Sequence, residues 1–245
     1  MKKICALVSV FLLISCSKEL TFETQKFSKK SDLRCTDQCP HVDVSIPIAK
    51  NGIAADSINA KVFQTLTSII YFGEKPTTSK NYEELLGSFI QSYDKLKRDA
   101  PDEIFPWEGE VKGQISYESD QVINIEIDHY IFTGGAHGYS GKRSLLFHPE
   151  TGKTITLAEI VNDTKAFKRF AEKQFRAKYA IPDGTPINSK GLMFEDERFQ
   201  FPQNIFFTKQ GLLFYYNAYE IASYAEGAQE LLLSYDSIEK FLKIK

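Results

Sequence analysis

A strict alternation from Gln121 to Phe132 constrains this chain more than any other feature. Ile123, Ile125, Ile127, His129 and Ile131 fall on one face; Asn124, Glu126, Asp128, Tyr130 and Phe132 fall on the other. An alternation this long requires an extended strand with one face covered by a core. It runs directly into Thr133-Gly134-Gly135-Ala136-His137-Gly138-Tyr139-Ser140-Gly141. Glycines so dense between two strands imply backbone conformations closed to other residues, or close approach of another chain or a ligand. Val111, Gly113, Ile115 and Tyr117 alternate before the run, with a turn at Ser119-Asp120, and Lys142 to His148 return after it. The expected result is a three-stranded meander closing at Pro149-Glu150-Thr151-Gly152.

Helical periodicities lie outside that meander. Ile58, Val62, Leu66, Ile69 and Ile70 form one apolar stripe, ended by Gly73 and Pro76. Tyr82, Leu85, Leu86, Phe89, Ile90, Tyr93 and Leu96 form a longer one, opened by Asn81 and Glu84 in capping-box spacing. A strand is expected over His41 to Ile48, with Pro47 pointing to an edge or a strand end, and a weaker one over Phe22 to Asp32. After the meander come a short turn of helix at Thr156, a helix from Thr164 to Tyr179, strands at 204–208, 212–216 and 229–234, and a last helix from Asp236. Residues 181–203 read as a long loop, either bordering a binding surface or a variable decoration. Hairpins segregated from helices predict an α+β fold, with antiparallel sheets carrying helices on one side and two intertwined subdomains, 25–150 and 151–245.

The amino terminus predicts the compartment. Lys2 and Lys3 precede an apolar run from Ile4 to Ile14, too short for a membrane helix, which needs about 20 residues. Leu13-Ile14-Ser15-Cys16 resembles a bacterial lipobox. Residues 1–15 are then a cleaved signal, Cys16 the lipidated first residue and 16–24 a tether; the alternative is an ordinary signal with an incidental cysteine. The expected location is the cell envelope, held to a membrane by lipid. Ser17 lacks the acidic character that would favour inner-membrane retention, so the outer membrane is expected. Cys35 and Cys39 are left, and in an exported protein they read as a disulfide; with His41 they could instead supply three metal ligands, one short of a structural zinc site.

Charge and motifs exclude several activities. Without Lys2 and Lys3, 28 basic residues face 32 acidic ones, a net charge of −4, which argues against a nucleic-acid partner. His-Glu-x-x-His is absent, Gly138-Tyr139-Ser140 is followed by Lys142 where a nucleophile elbow needs its second glycine, and Gly152-Lys153-Thr154 lacks the upstream glycine of a phosphate loop. No spacing signals a metal or cofactor. His129 is expected as a satisfied core histidine. His137 is open between a site role and bracing of its own loop. Tyr215, Tyr216, Tyr219 and Tyr224 beside Glu220 and Glu226 are either core and rim or a sugar-stacking surface.

Two long stretches resemble the signatures of one family. Tyr130 to Gly138 is similar to Y-x-x-T-G-G-A-H-G. Phe214 to Gly227, containing Tyr219-Glu220-Ile221-Ala222-Ser223-Tyr224-Ala225-Glu226-Gly227, is similar to F-x-F-x-x-Y-E-I-A-P-Y-A-x-G, with Ser223 in place of proline. Thr151-Gly152-Lys153 with Ile155-Thr156-Leu157 fits the link between them. The resemblance, from about Phe22 to Leu242, is to the extracytoplasmic region of RsiV-type anti-sigma factors and the N-terminal region of PdaC-type peptidoglycan deacetylases. No stretch resembles the deacetylase catalytic domain, so a stand-alone, lipid-anchored version is expected.

The resemblance implies a non-catalytic module binding a cell-wall glycan, peptidoglycan or a wall-acting protein such as lysozyme. Thr133, Gly134, Gly135, His137, Tyr216, Tyr219 and Glu220 are the candidate contacts. The alternatives are a wall hydrolase or deacetylase-related enzyme, with Asp128, His137, Glu220 or Glu226 as acid–base groups, and a purely structural lipoprotein.

Overall fold

The computed structural model describes residues 19–35, 38–76, 78–101 and 105–245. The expected signal and the expected lipidation at Cys16 lie outside them. Strands β1 (Thr21–Lys30) and β2 (His41–Lys50) form a hairpin. Helices α1 (Ala55–Thr67) and α2 (Tyr82–Asp99) follow, then strands β3 (Glu108–Glu118), β4 (Ile123–Phe132) and β5 (Tyr139–Phe147). A short helix α3 (Leu157–Ile160) precedes α4 (Thr164–Lys178). Strands β6 (Asn204–Phe207), β7 (Gly211–Tyr216) and β8 (Gln229–Ser234) and helix α5 (Tyr235–Ile238) complete the chain. The fold is α+β, with a five-stranded sheet ordered β1-β2-β3-β4-β5 and a three-stranded sheet ordered β6-β7-β8.

The meander forms as expected, but the large sheet is not wholly antiparallel. His41 to Ser45 pair in parallel with Glu108 to Lys112. The α1–α2 pair supplies the long crossover that parallel neighbours require. Pro47 is therefore on an internal strand, buried, two residues beyond the last β2–β3 pair; there no ladder bond to β3 needs its missing N–H.

Both helix signals hold for physical reasons. Asn81 caps α2 by accepting from Glu84 N at 2.8 Å, and Glu84 accepts from Lys80 N at 2.8 Å. Acidic residues fill the first turn of α2 and basic residues the last, complementing the helix dipole. Leu85, Leu86, Phe89, Ile90 and Tyr93 bury the predicted stripe against the apolar sheet face, with Ile58, Val62 and Leu66 of α1. The single Trp107, 1% exposed, sits between Phe72, Phe89 and Tyr93 at the entry to β3.

A second core lies around β6–β8 and α4, dense in aromatic rings: Phe167, Phe175, Phe194, Phe199, Phe207, Phe214 and Tyr216. The segment 181–203 belongs to this core. Its Ile181, Ile187, Leu192, Phe194 and Phe199 are buried there, so its length roofs a core instead of decorating a surface.

The two subdomains interlock through β3–β5. In β3 the register shifts between Ile115 and Tyr117. This bulge turns Tyr117 away from the face it was expected to share with Ile115, and its ring meets Phe207, centroids 5.5 Å apart. The outer edge of β5 is met by side-chain amides in place of a further strand. Asn217 Oδ1 accepts from Lys142 N at 2.7 Å while its Nδ2 donates to Lys142 O at 3.0 Å. Asn204 Oδ1 accepts from Ser144 N at 3.0 Å, and buried Asn124 Oδ1 accepts from Phe207 N at 2.9 Å. An edge satisfied in this way is closed to pairing with another chain.

Candidate functional site

The two signature stretches meet. Residues 133–138 join β4 to β5, and Gly134 and Gly135 adopt φ of 103° and 87°, which only glycine takes without strain. The Tyr130 ring packs directly on Gly138: a Cβ there would lie 2.4 Å from it and would displace the ring. The second stretch leaves β7 at Tyr216 and turns back through Tyr219, whose φ of 70° is unusual for a bulky residue. A short 3-10 turn, Tyr224–Glu226, follows, capped reciprocally by Ser223 and Glu226. It carries Tyr224 to the glycine loop, where Tyr224 Oη donates to Gly138 O at 3.0 Å. The Tyr224 ring stacks on His137 at 3.9 Å and 12°, and Tyr219 stacks on Tyr224 at 5.5 Å and 29°. Tyr139 Oη donates to Ala218 O at 3.4 Å across the same junction.

His137 combines both readings left open by the sequence. Its Nδ1 lies 2.9 Å from Gly138 O, so Nδ1–H donates and braces the loop, while the ring stays exposed at one end of the stack. Tyr219, at the other end, is 58% exposed. Two candidates fall elsewhere. Tyr216 is fully buried and its hydroxyl donates to Gln200 O at 2.7 Å, so it is a core residue. Glu220 accepts from Gln203 N at 2.8 Å and Asn217 N at 3.0 Å; it organises the turn and offers no free oxygen pair to a ligand. Burial raises the Glu220 pKa against these two bonds and against Arg143. Thr133 is half-buried in the loop.

The glycine loop also walls a cleft of ≈ 680 Å³. Its other walls are Gln38 and Cys39, Phe105 to Glu108, the end of β1 and the start of β2. Tyr130, Phe132 and Phe105 supply aromatic surface; His41, Asp43, Glu108 and Lys30 supply polar groups. Cys35 and Cys39 are disulfide-bonded, with Cα atoms 5.5 Å apart, and so are not metal ligands. Their loop instead fixes His41: Nδ1 lies 3.0 Å from Cys39 O, and His41 N donates to Trp107 O at 3.0 Å. One donor atom each from His41, Glu108 and Glu110 lie within 4.8 Å of one another. Spacing along the chain could not signal this group. Glu108 and Glu110 share a strand face, but His41 joins them only through the parallel register His41↔Glu108.

A second hollow lies farther along the open sheet face. Lys142 bridges Glu126 and Asp128, the latter at 2.8 Å, with the Tyr215 ring 5.8 Å from its Nζ. Burial lowers the Lys142 pKa, but the hydrogen bonds to Asp128 and Glu126 outweigh it, so the ammonium is held charged above its usual range.

His129 is buried as expected, yet it is not satisfied: its Nδ1 has no partner. Gly141 makes the space for it, since a Cβ there would lie 2.7 Å from the ring. Burial, followed by the Arg143 charge and against Asp128, lowers its pKa from 6.5 to about 4.

The architecture is α+β. A helix-covered mixed sheet is joined to a smaller antiparallel sheet where a glycine loop meets a tyrosine turn. The chain carries two family domains in tandem: residues 33–140 match "Deacetylase PdaC", and residues 146–236 match "Protein of unknown function (DUF3298)". Membership in these families suggests a cell-envelope protein. Solved structures share the fold. A DUF3298 family protein from Pseudomonas aeruginosa PAO1 is 20% identical, with TM-score 0.65 over 93% of this chain and 96% of that one. A member of the same family from Bacteroides fragilis is 19% identical, with TM-score 0.67 over 93% and 95%. Comparison with curated proteins finds no match.

Proposed function

We propose that this chain is a non-catalytic binding module of the cell envelope whose ligand is a cell-wall glycan. The observation that carries the reading is the exposed stack Tyr219–Tyr224–His137, which ends at the loop walling the largest cleft described. Sugar rings present C–H faces that pack on aromatic faces, and hydroxyls that bond carboxylates and imidazole. The stack and the cleft supply both kinds of partner. The carboxylates nominated as acid–base groups are engaged elsewhere. Glu220 holds two backbone N–H groups, Glu226 caps Ser223, and Asp128 pairs with Lys142. Attachment through lipid on Cys16 is part of the proposal; palmitate labelling should be lost in Cys16→Ser.

The test is titration with soluble peptidoglycan fragments and chitooligosaccharides, beside retention on lysozyme resin. Saturable glycan binding, about tenfold weaker in Tyr219→Gly, is expected from the loss of one stacking ring. Binding to lysozyme without binding to glycan would transfer the site to a protein partner. Retention of neither ligand refutes the proposal.

A further inference from the structure

We propose that His41, Glu108 and Glu110 form a binding site for one divalent transition cation, for which Zn²⁺ is the probe. The site borders the cleft described above but does not depend on the glycan reading.

The donor set comes from two neighbouring strands. In the parallel register His41 is the partner of Glu108, and Asp43 of Glu110, so these side chains share the open face of the sheet. All three proposed ligands are half-buried. Their donor atoms already lie within 4.8 Å of one another; a tetrahedral zinc site needs separations of about 3.3 Å. Rotation of two glutamate side chains can close that gap while the strands stay fixed.

An acidic pair on a sheet surface would carry no such inference alone. The histidine does, because it is oriented. Cys39 O can only accept, so the proton of the neutral ring must sit on Nδ1, which lies 3.0 Å from it. Nε2 is then left with its lone pair. That atom lies 3.9 Å from Asp43 Oδ2, on the carboxylate side of the ring. A ring N–H given to a backbone carbonyl is the arrangement that fixes metal-ligating imidazoles. The carbonyl itself is held by the Cys35–Cys39 bond, and the backbone of His41 by Trp107 O. The disulfide thereby gains a role beyond closing a short turn.

One imidazole and two carboxylates suit zinc and its neighbours better than calcium or magnesium, which take oxygen ligands alone. The two glutamates balance the charge of the ion. Remaining coordination positions would fall to water, to Asp43, or to a ligand in the cleft. Lys112 opposes the site by holding Glu110 Oε2 at 3.1 Å.

The experiment is calorimetric titration of the chelator-treated, disulfide-intact protein with ZnCl₂, without any glycan. One equivalent is expected to bind with a micromolar or tighter Kd. His41→Ala and Glu108→Gln should each weaken it at least tenfold. Lys112→Met, which releases Glu110, should tighten it. Cys35→Ser/Cys39→Ser should weaken it several-fold, the double substitution leaving no thiol at that turn to bind zinc. His148→Ala, remote from the site, and Tyr219→Gly, in the aromatic stack, should bind zinc as the unaltered protein does. Thermal melts with and without zinc report the same site: the ion should raise the Tm of the unaltered protein but not of Glu108→Gln. No bound equivalent, or unchanged affinity in both His41→Ala and Glu108→Gln, overturns the proposal. Because glycan is absent throughout, failure here leaves the glycan reading untouched, and the converse holds.

Discussion

His129 makes stability depend on pH in a way that can be isolated. Its pKa is about 4 in the folded protein and 6.5 when exposed, because burial and Arg143 disfavour the charged ring. The unfolded chain therefore takes up a proton at a pH where the folded chain does not. Stability falls as pH drops below 6.5, and the loss levels off below 4. Linkage at 1.36 kcal/mol per unit gives a contribution, relative to pH 7.5, of about 1.4 kcal/mol at pH 5.5 and about 3 kcal/mol at pH 4. Glu220, whose pKa burial raises, acts in the opposite sense and is common to any pair of proteins compared. The perturbation is His129→Leu, which loses no hydrogen bond at the unpartnered Nδ1. Urea unfolding followed by fluorescence of the single buried tryptophan, Trp107, measures both proteins at pH 7.5, 5.5 and 4. His129→Leu should be at least as stable at pH 7.5 and should lack about 3 kcal/mol of the acid loss. Equal pH dependence in the two proteins refutes the reasoning.

Gly152→Ala should cost about 2–4 kcal/mol in the same assay, since φ there is 65° and a Cβ would lie 2.4 Å from Ala54 O, a backbone atom. Asn217→Ala removes the partner of Lys142 N and one of the two partners of Lys142 O, which keeps Arg143 Nη1; a loss of about 1–3 kcal/mol and faster hydrogen exchange along β5 are expected. Tyr219→Gly relieves a positive φ while removing one ring contact, so its unfolding free energy should stay within about 1 kcal/mol of the unaltered protein. Weakened glycan binding by that variant then cannot be put down to unfolding.

Local patterns were legible wherever one face of an element meets one core. The β4 alternation, the α2 stripe with its Asn81 cap and the glycine loop between β4 and β5 all follow from periods of 2 and 3.6 and from turn chemistry. The same reasoning failed where a residue changes face or core. Tyr117 was misplaced because a bulge is invisible in an alternation. Residues 181–203 looked like surface because their apolar residues have no period, yet they bury Ile187, Phe194 and Phe199. Tyr216 and Tyr219 are near neighbours of one residue type; the turn after β7 sends one into the core and the other to solvent.

Sequence by itself determined the α+β class and the kinship of the two signature stretches, because each is written in local order or in a long motif; it left Cys35 and Cys39 between a disulfide and a metal pair, which the bond in the structure decided. Tertiary structure alone decided that His137, Tyr224 and Tyr219 stack, and that His41 stands beside Glu108 and Glu110. Both groupings arise from strand register and chain crossing. These bring together residues far apart in the chain, and no periodicity records that proximity.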